Sequence, residues 1–128
     1  MKKLGLLLFT ICFVLSSCSN DSESSRQEEA EKLSKMFDEL ITLSEQKTRP
    51  CNNPEEWTYT KLNIPCHHQF IVYSKKINTE VFLKKVERYK TAAKAHSKKW
   101  KLECFDDVIP GTLKGIECID GKPILVYE

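Results

Sequence analysis

The side chains with the most chemistry in them are cysteines, and their spacing narrows what they can do. Cys51, Cys66, Cys104 and Cys118 form an even set of four without a C-x-x-C pair. Zinc sites and redox thiols favour that tight spacing, so the set reads as a disulfide framework. Four cysteines allow three connectivities, and sequence does not choose among them. Local pairing, Cys51–Cys66 and Cys104–Cys118, is the preferred expectation. Each bridge would close a loop of about 15 residues, worth about 3 kcal/mol in the chain-entropy picture. Cys18 stands apart, directly after Leu15-Ser16-Ser17, and Cys12 lies inside an apolar run.

The other candidates are acids, bases and cations. His67 and His68 follow Cys66, but neighbours on an extended segment point to opposite faces and do not readily share one metal ion. His96 falls on an apolar helix face, the setting of a hydrogen-bonded edge histidine. Asp106 and Asp107, with Glu103 and Glu117, could supply paired carboxylates, although adjacent aspartates in a loop are ordinarily solvated. The chain has no Ser-centred elbow, HExxH, P-loop or GxGxxG. No catalytic residue, metal or cofactor is therefore assigned, and the chain is expected not to be an enzyme. Lys90, Lys94, Lys98 and Lys101 recur at i, i+4, i+8 and i+11, with Lys84, Lys85, Arg88 and Lys99 around them. A solvated helix face is the simpler reading of this ridge. Its functional reading is docking to anionic polymer, lipid headgroups or an acidic protein.

The elements that must position these residues follow from periodicity. Leu33, Met36, Phe37, Leu40 and Ile41 make one apolar stripe, and Ser25-Arg26-Gln27-Glu28 has the form of a capping box before it. A helix is expected from there to about Ser44, with its stripe buried on the rest of the chain. Arg49 to Pro54 is a loop, because two prolines and two asparagines suit neither a helix nor a central strand. Strands are expected over Trp57–Leu62 and Gln69–Ser74. Asn78 is placed as the N-cap of a second helix, with Ile77 and Phe82 as a hydrophobic staple. Phe82, Val86, Tyr89, Ala93, His96 and Trp100 then trace its buried face. Gly115–Ile119 and Lys122–Tyr127 flank Asp120-Gly121, the pair suited to a type I′ hairpin turn. The fold class is α+β. A small antiparallel sheet is packed by one long helix, with an N-terminal amphipathic helix and two disulfides.

The N-terminal segment gives a location. Met1-Lys2-Lys3 is basic, Leu4 to Leu15 is apolar apart from Gly5 and Thr10, and polar residues follow at once. That length suits a signal-peptide core rather than a bilayer span of about 20 residues. Leu15-Ser16-Ser17-Cys18 resembles the bacterial lipobox, an aliphatic residue and two small ones before a thiol. The resemblance implies that Cys18 accepts a diacylglycerol and becomes the new N-terminus, while Cys12 leaves with the signal. Ser19 behind it implies delivery to the outer membrane of a Gram-negative type envelope, and Asp21-Ser22-Glu23 resembles a surface-export signal. Without Lys2 and Lys3 the mature chain carries 18 basic and 18 acidic residues. Residues 18–46 hold 3 basic and 8 acidic side chains, whereas 47–128 hold 15 and 10. A neutral exported chain is not expected to bind nucleic acid. The expected organisation is a signal peptide (1–17), a flexible acidic tether (18–24) lifting the basic domain off the membrane, an amphipathic helix (25–46) and a stapled α+β domain (47–128).

A second resemblance spans about 75 residues. Cys51-x-x-Pro54, Trp57, Cys66, Tyr73-Ser74, Phe82-x-x-x-Val86 with Tyr89, Cys104, and Ile116-x-Cys118-x-x-Gly121-Lys122-Pro123 resemble a group of small secreted bacterial domains of unknown function. Those domains commonly follow the second cysteine with two glycines and a proline, where this chain has His67-His68-Gln69. The resemblance implies fold and export. The functional expectation is a lipid-anchored, non-catalytic binding module of the cell envelope, with the membrane and an envelope protein as partners. The alternative is an inhibitor or immunity-type protein acting on an envelope hydrolase or toxin.

Overall fold

A computed structural model describes residues 21–65, 69–103 and 111–128 of the chain. The roles expected of Cys18, Cys66, Cys104, His67, His68, Asp106 and Asp107 fall outside these residues. Two helices and two antiparallel β-ribbons occur in the order α1 (Asp21–Leu43), a 3-10 turn (Pro54–Glu56), β1 (Trp57–Lys61), β2 (Phe70–Ser74), α2 (Thr79–Trp100), β3 (Leu113–Ile119) and β4 (Lys122–Tyr127). The class is α+β, as expected. The single small sheet expected is instead two separate two-stranded sheets, β1–β2 and β3–β4.

α1 already includes Asp21, so the expected capping box at Ser25 lies inside the helix rather than at its start. The physical reason is the absence of any glycine or proline between Asp21 and Leu43. Nothing stops the helix from extending through Ser22 to Ser25, and Glu23 suits the positive end of its dipole. Residues 21–24, expected in the flexible tether, are therefore the first turn of a core helix. Its stripe turns toward the core as expected. Leu40 is 1% exposed, and Leu33, Phe37 and Ile41 pack around the same cluster.

α2 begins as its sequence indicates. Asn78 Oδ1 accepts the Val81 N–H at 3.2 Å, and Ile77 packs on the cluster that holds Phe82. Phe82, Val86 and Ala93 are its buried residues. The helix ends at Lys101, whose left-handed backbone (φ 49°) turns the chain while its N–H caps the Ser97 carbonyl.

The β1–β2 register explains the layering. Tyr73 and Ile71 stand opposite Thr58 and Thr60, while Val72 stands opposite Tyr59 and Ser74 opposite Trp57. Paired residues share a face, so Ile71 and Tyr73 point one way and Trp57 and Val72 the other. Ile71 and Tyr73 join Leu40, Phe82 and Val86 beneath the helices. Trp57 and Val72 join Cys51 against Ile116, Cys118 and Leu125 of the second ribbon. The molecule thus stacks a helix pair, a central ribbon and an outer hairpin. β2 is buried on both faces, which accounts for its unbroken apolar sequence Phe70-Ile71-Val72-Tyr73.

The outer hairpin closes where expected. Asp120 and Gly121 adopt φ of 52° and 73°, the positive pair that an I′ turn requires. This turn also holds the N-terminal loop, because the Gly121 carbonyl accepts the Cys51 N–H at 2.8 Å. Cys51 is bonded to Cys118, with Cα atoms 5.3 Å apart and a sequence separation of 67. This overturns the local pairing Cys51–Cys66 and Cys104–Cys118. Loop length favoured neighbours in sequence, but the stacking of the hairpin on Trp57 and Val72 brings Cys118 over Cys51.

Candidate functional site

The ionisable side chains that converge in the described structure lie between the helices. α1 and α2 run antiparallel: Lys85 meets Glu39 at 2.6 Å, and ten positions earlier on α1 Glu29 meets the last turn of α2. Glu29 is a three-way acceptor. Trp100 Nε1 donates to its Oε2 at 2.8 Å, His96 Nδ1 shares that oxygen at 3.1 Å, and Lys99 Nζ binds Oε1. The Lys99 ammonium also lies over the Trp100 ring, 5.0 Å from its centroid. The Lys99 hydrogen bond above all, then those of Trp100 and His96, hold the Glu29 carboxyl at a pKa of about 2, against an ordinary 4.5. The carboxylate therefore stays charged through the whole physiological range.

This clasp borders a groove of about 260 Å³ between the helices. Leu33, Met36, Ala92 and Ala95 form its apolar part, and Lys32, Lys99, Glu29 and His96 its polar rim. Deeper along the same seam, Phe37 and Tyr89 pack with ring centroids 5.7 Å apart, and burial raises the Tyr89 hydroxyl pKa. The arrangement fixes one helix against the other. Lys85, His96, Lys99 and Trp100 of α2 each have an acceptor on α1, so sliding or rotation of α1 would leave Glu29 or Trp100 without its partner.

The residues singled out in the sequence are distributed unevenly around this seam. His96 is the hydrogen-bonded edge histidine expected, its side chain 11% exposed. The lysine ridge divides. Lys90 is paired with Glu87 at 2.9 Å and is largely covered, whereas Lys94, Lys98 and Lys101 are exposed and form no ion pair among the described residues. Cys51 and Cys118 form the disulfide that binds the layers. No cluster of three or more His, Cys, Asp or Glu side chains suited to a metal occurs among the described residues. No helix among them is long and apolar enough to cross a membrane.

Glu29 is not among the residues that the sequence marks for chemistry, although its signal is present there. It lies four residues before Leu33, on the upward continuation of the apolar stripe. A carboxylate on such a stripe needs a donor from whatever packs there, and His96 and Trp100 fall on the periodic apolar face of α2.

Taken together, the described residues form an α+β domain of two antiparallel helices and two β-ribbons, joined by a disulfide and by a carboxylate clasp. Comparison with protein-family models, curated proteins and solved structures finds no match to this chain.

Proposed function

We propose that this protein is a lipid-anchored component of a bacterial envelope, delivered to the outer membrane, whose domain serves as a non-catalytic binding module. The observation that carries the proposal is the tetrad Leu15-Ser16-Ser17-Cys18 at the end of a basic-then-apolar leader. The leader is too short to span a bilayer, and the tetrad presents a thiol behind two small residues. Two or three acyl chains on Cys18 would give stable attachment, since each buried CH2 contributes about 0.8 kcal/mol. The anchor would lie three residues from α1, a helix whose stripe belongs to the core. What is attached at Cys18 would thus be coupled closely to the domain.

The same reading supplies a second disulfide. Export places the chain in an oxidising compartment. With Cys51 bonded to Cys118, the remaining pair is Cys66 with Cys104. Two bridges suit a domain of this size, whose core alone provides limited stability.

The test is acyl labelling and membrane fractionation of wild type and Cys18→Ala in a bacterial host. Wild type is expected to take up palmitate and sediment with membranes, and the variant to do neither. An unlabelled wild-type chain would refute the anchor. Cross-linking in the envelope then addresses the partner, and a stoichiometric hydrolase or toxin among the products would specify an inhibitor.

A further inference from the structure

The antiparallel helix pair sets which end of the domain shares a pole with Cys18. Glu39 is level with Lys85, and Glu29 with the His96–Trp100 turn. Continuing that register places Ser25 beside Trp100, so Asp21–Ser24 extend about 6 Å past the end of α2 at 1.5 Å per residue. Cys18 precedes Asp21 by three residues in the sequence, a chain length of about 11 Å at full extension. An anchor at Cys18 would therefore share the pole of the C-terminal end of α2.

That end carries the unpaired part of the lysine ridge. Lys94, Lys98 and Lys101 are exposed, with no ion pair among the described residues. Their Cα atoms span about 10 Å along the axis, comparable with the screening length of about 8 Å at physiological salt. Three charges this close act on a surface as one patch. Lys94 and Lys98 are also turned away from α1. Ala95 and Lys99 line the interhelical groove, and Lys94 and Lys98 precede each by one position, a rotation of about 100°. The acidic side chains Glu23 and Glu28 belong to α1, and Glu29 is already matched by Lys99 and His96. Glu103 is the acidic residue that follows the patch along the chain.

We infer that Lys94, Lys98 and Lys101 form a docking surface for the anionic phospholipid headgroups of the membrane that carries the anchor. The orientation rests on the lipid-anchor reading above, whereas the affinity of the patch for phosphate does not. Lipid phosphate is favoured over an acidic protein because the anchor holds this pole, and no other, beside a plane of headgroups. The patch then acts as a second signal beside the acyl chains. The domain would lie with the α2 terminus against the bilayer and the rest of the module directed away from it.

The test uses residues 19–128 without acylation, a chain that contains every described element, in co-sedimentation with vesicles. Vesicles of phosphatidylglycerol in phosphatidylcholine are compared with phosphatidylcholine alone, at low and high salt. The chain is expected to partition onto the anionic vesicles and to be released by salt. Lys94→Gln/Lys98→Gln/Lys101→Gln should lower partitioning about fivefold per lysine, about a hundredfold in all. Thermal melts of the variant confirm that it is folded and separate docking from the lysines' favourable placement at a helix C-terminus. Equal partitioning of variant and wild type, or equal binding to neutral vesicles, would overturn the inference. Binding to soluble polyglutamate but not to vesicles would also overturn it. Because the chain is unacylated, the outcome is independent of the Cys18→Ala experiment, so either proposal can fail alone.

Discussion

Removing the Cys51–Cys118 bridge is the perturbation whose size follows most directly from the structure. The bridge spans 67 positions. Cross-linking a loop of that length removes denatured-state entropy worth about 4 kcal/mol at 25 °C in the chain-entropy model. Cys51→Ala/Cys118→Ala should lose about that much. With a urea slope of about 2 kcal/mol per M, the unfolding midpoint should fall by about 2 M. Thiol titration of the unfolded chains gives an independent check. If Cys51 and Cys118 are bonded to each other, deleting both exposes no new thiol. Local pairing would instead orphan Cys66 and Cys104 together and raise the titre by two. A rise of two thiols, a peptide map joining Cys51 to Cys66, or a stability loss below about 1 kcal/mol would refute the reasoning.

Three further outcomes are expected. Leu40→Ala removes a side chain 1% exposed in the main core; it should cost about 3 kcal/mol and lower Tm by about 10–20 °C, and a loss under about 1 kcal/mol in urea titration would show that α1 is not part of the core. Gly111 has φ +75° and a Cβ there would lie 1.9 Å from the Glu128 carbonyl oxygen, whereas Gly121 (φ +73°) has open space around it; Gly111→Ala should therefore lower Tm clearly more than Gly121→Ala, and equal losses would contradict the close approach. Glu29, with its pKa depressed to about 2 from 4.5, contributes stability that is fully present above about pH 4.5 and is lost as pH falls toward 2; Glu29→Gln should flatten the urea-midpoint profile across that window, and an unchanged profile would refute the clasp.

Local structure was legible because its determinants are local. Asn78 as N-cap, the Phe82–Trp100 stripe and the Asp120-Gly121 turn each depend on a few neighbouring residues, and each is where periodicity and turn chemistry placed it. α1 starts four residues before the expected Ser25 for a related reason. A capping box at Ser25 is a preference, and it yields when the residues before it can also be helical and no glycine or proline opposes them. Of the site, His96 was legible as a bonded edge histidine, but its acceptor Glu29 lies 67 positions away.

The amino-acid order alone sufficed for the α+β class, the two apolar stripes, the outer hairpin and the expectation that cysteines would staple a small domain. The arrangement of these parts was a tertiary matter. A disulfide forms between sulfurs that meet in space, and Cys51 meets Cys118 because the hairpin stacks on Trp57 and Val72. The single sheet expected is two ribbons, and β2 packs the helices with one face and the hairpin with the other. The lysine ridge could be read as a periodicity. Its division into a paired Lys90 and the exposed Lys94, Lys98 and Lys101, at the pole where α1 begins, required the antiparallel register of the helices. Periodicity assigns a residue to a face, but only packing decides what that face meets.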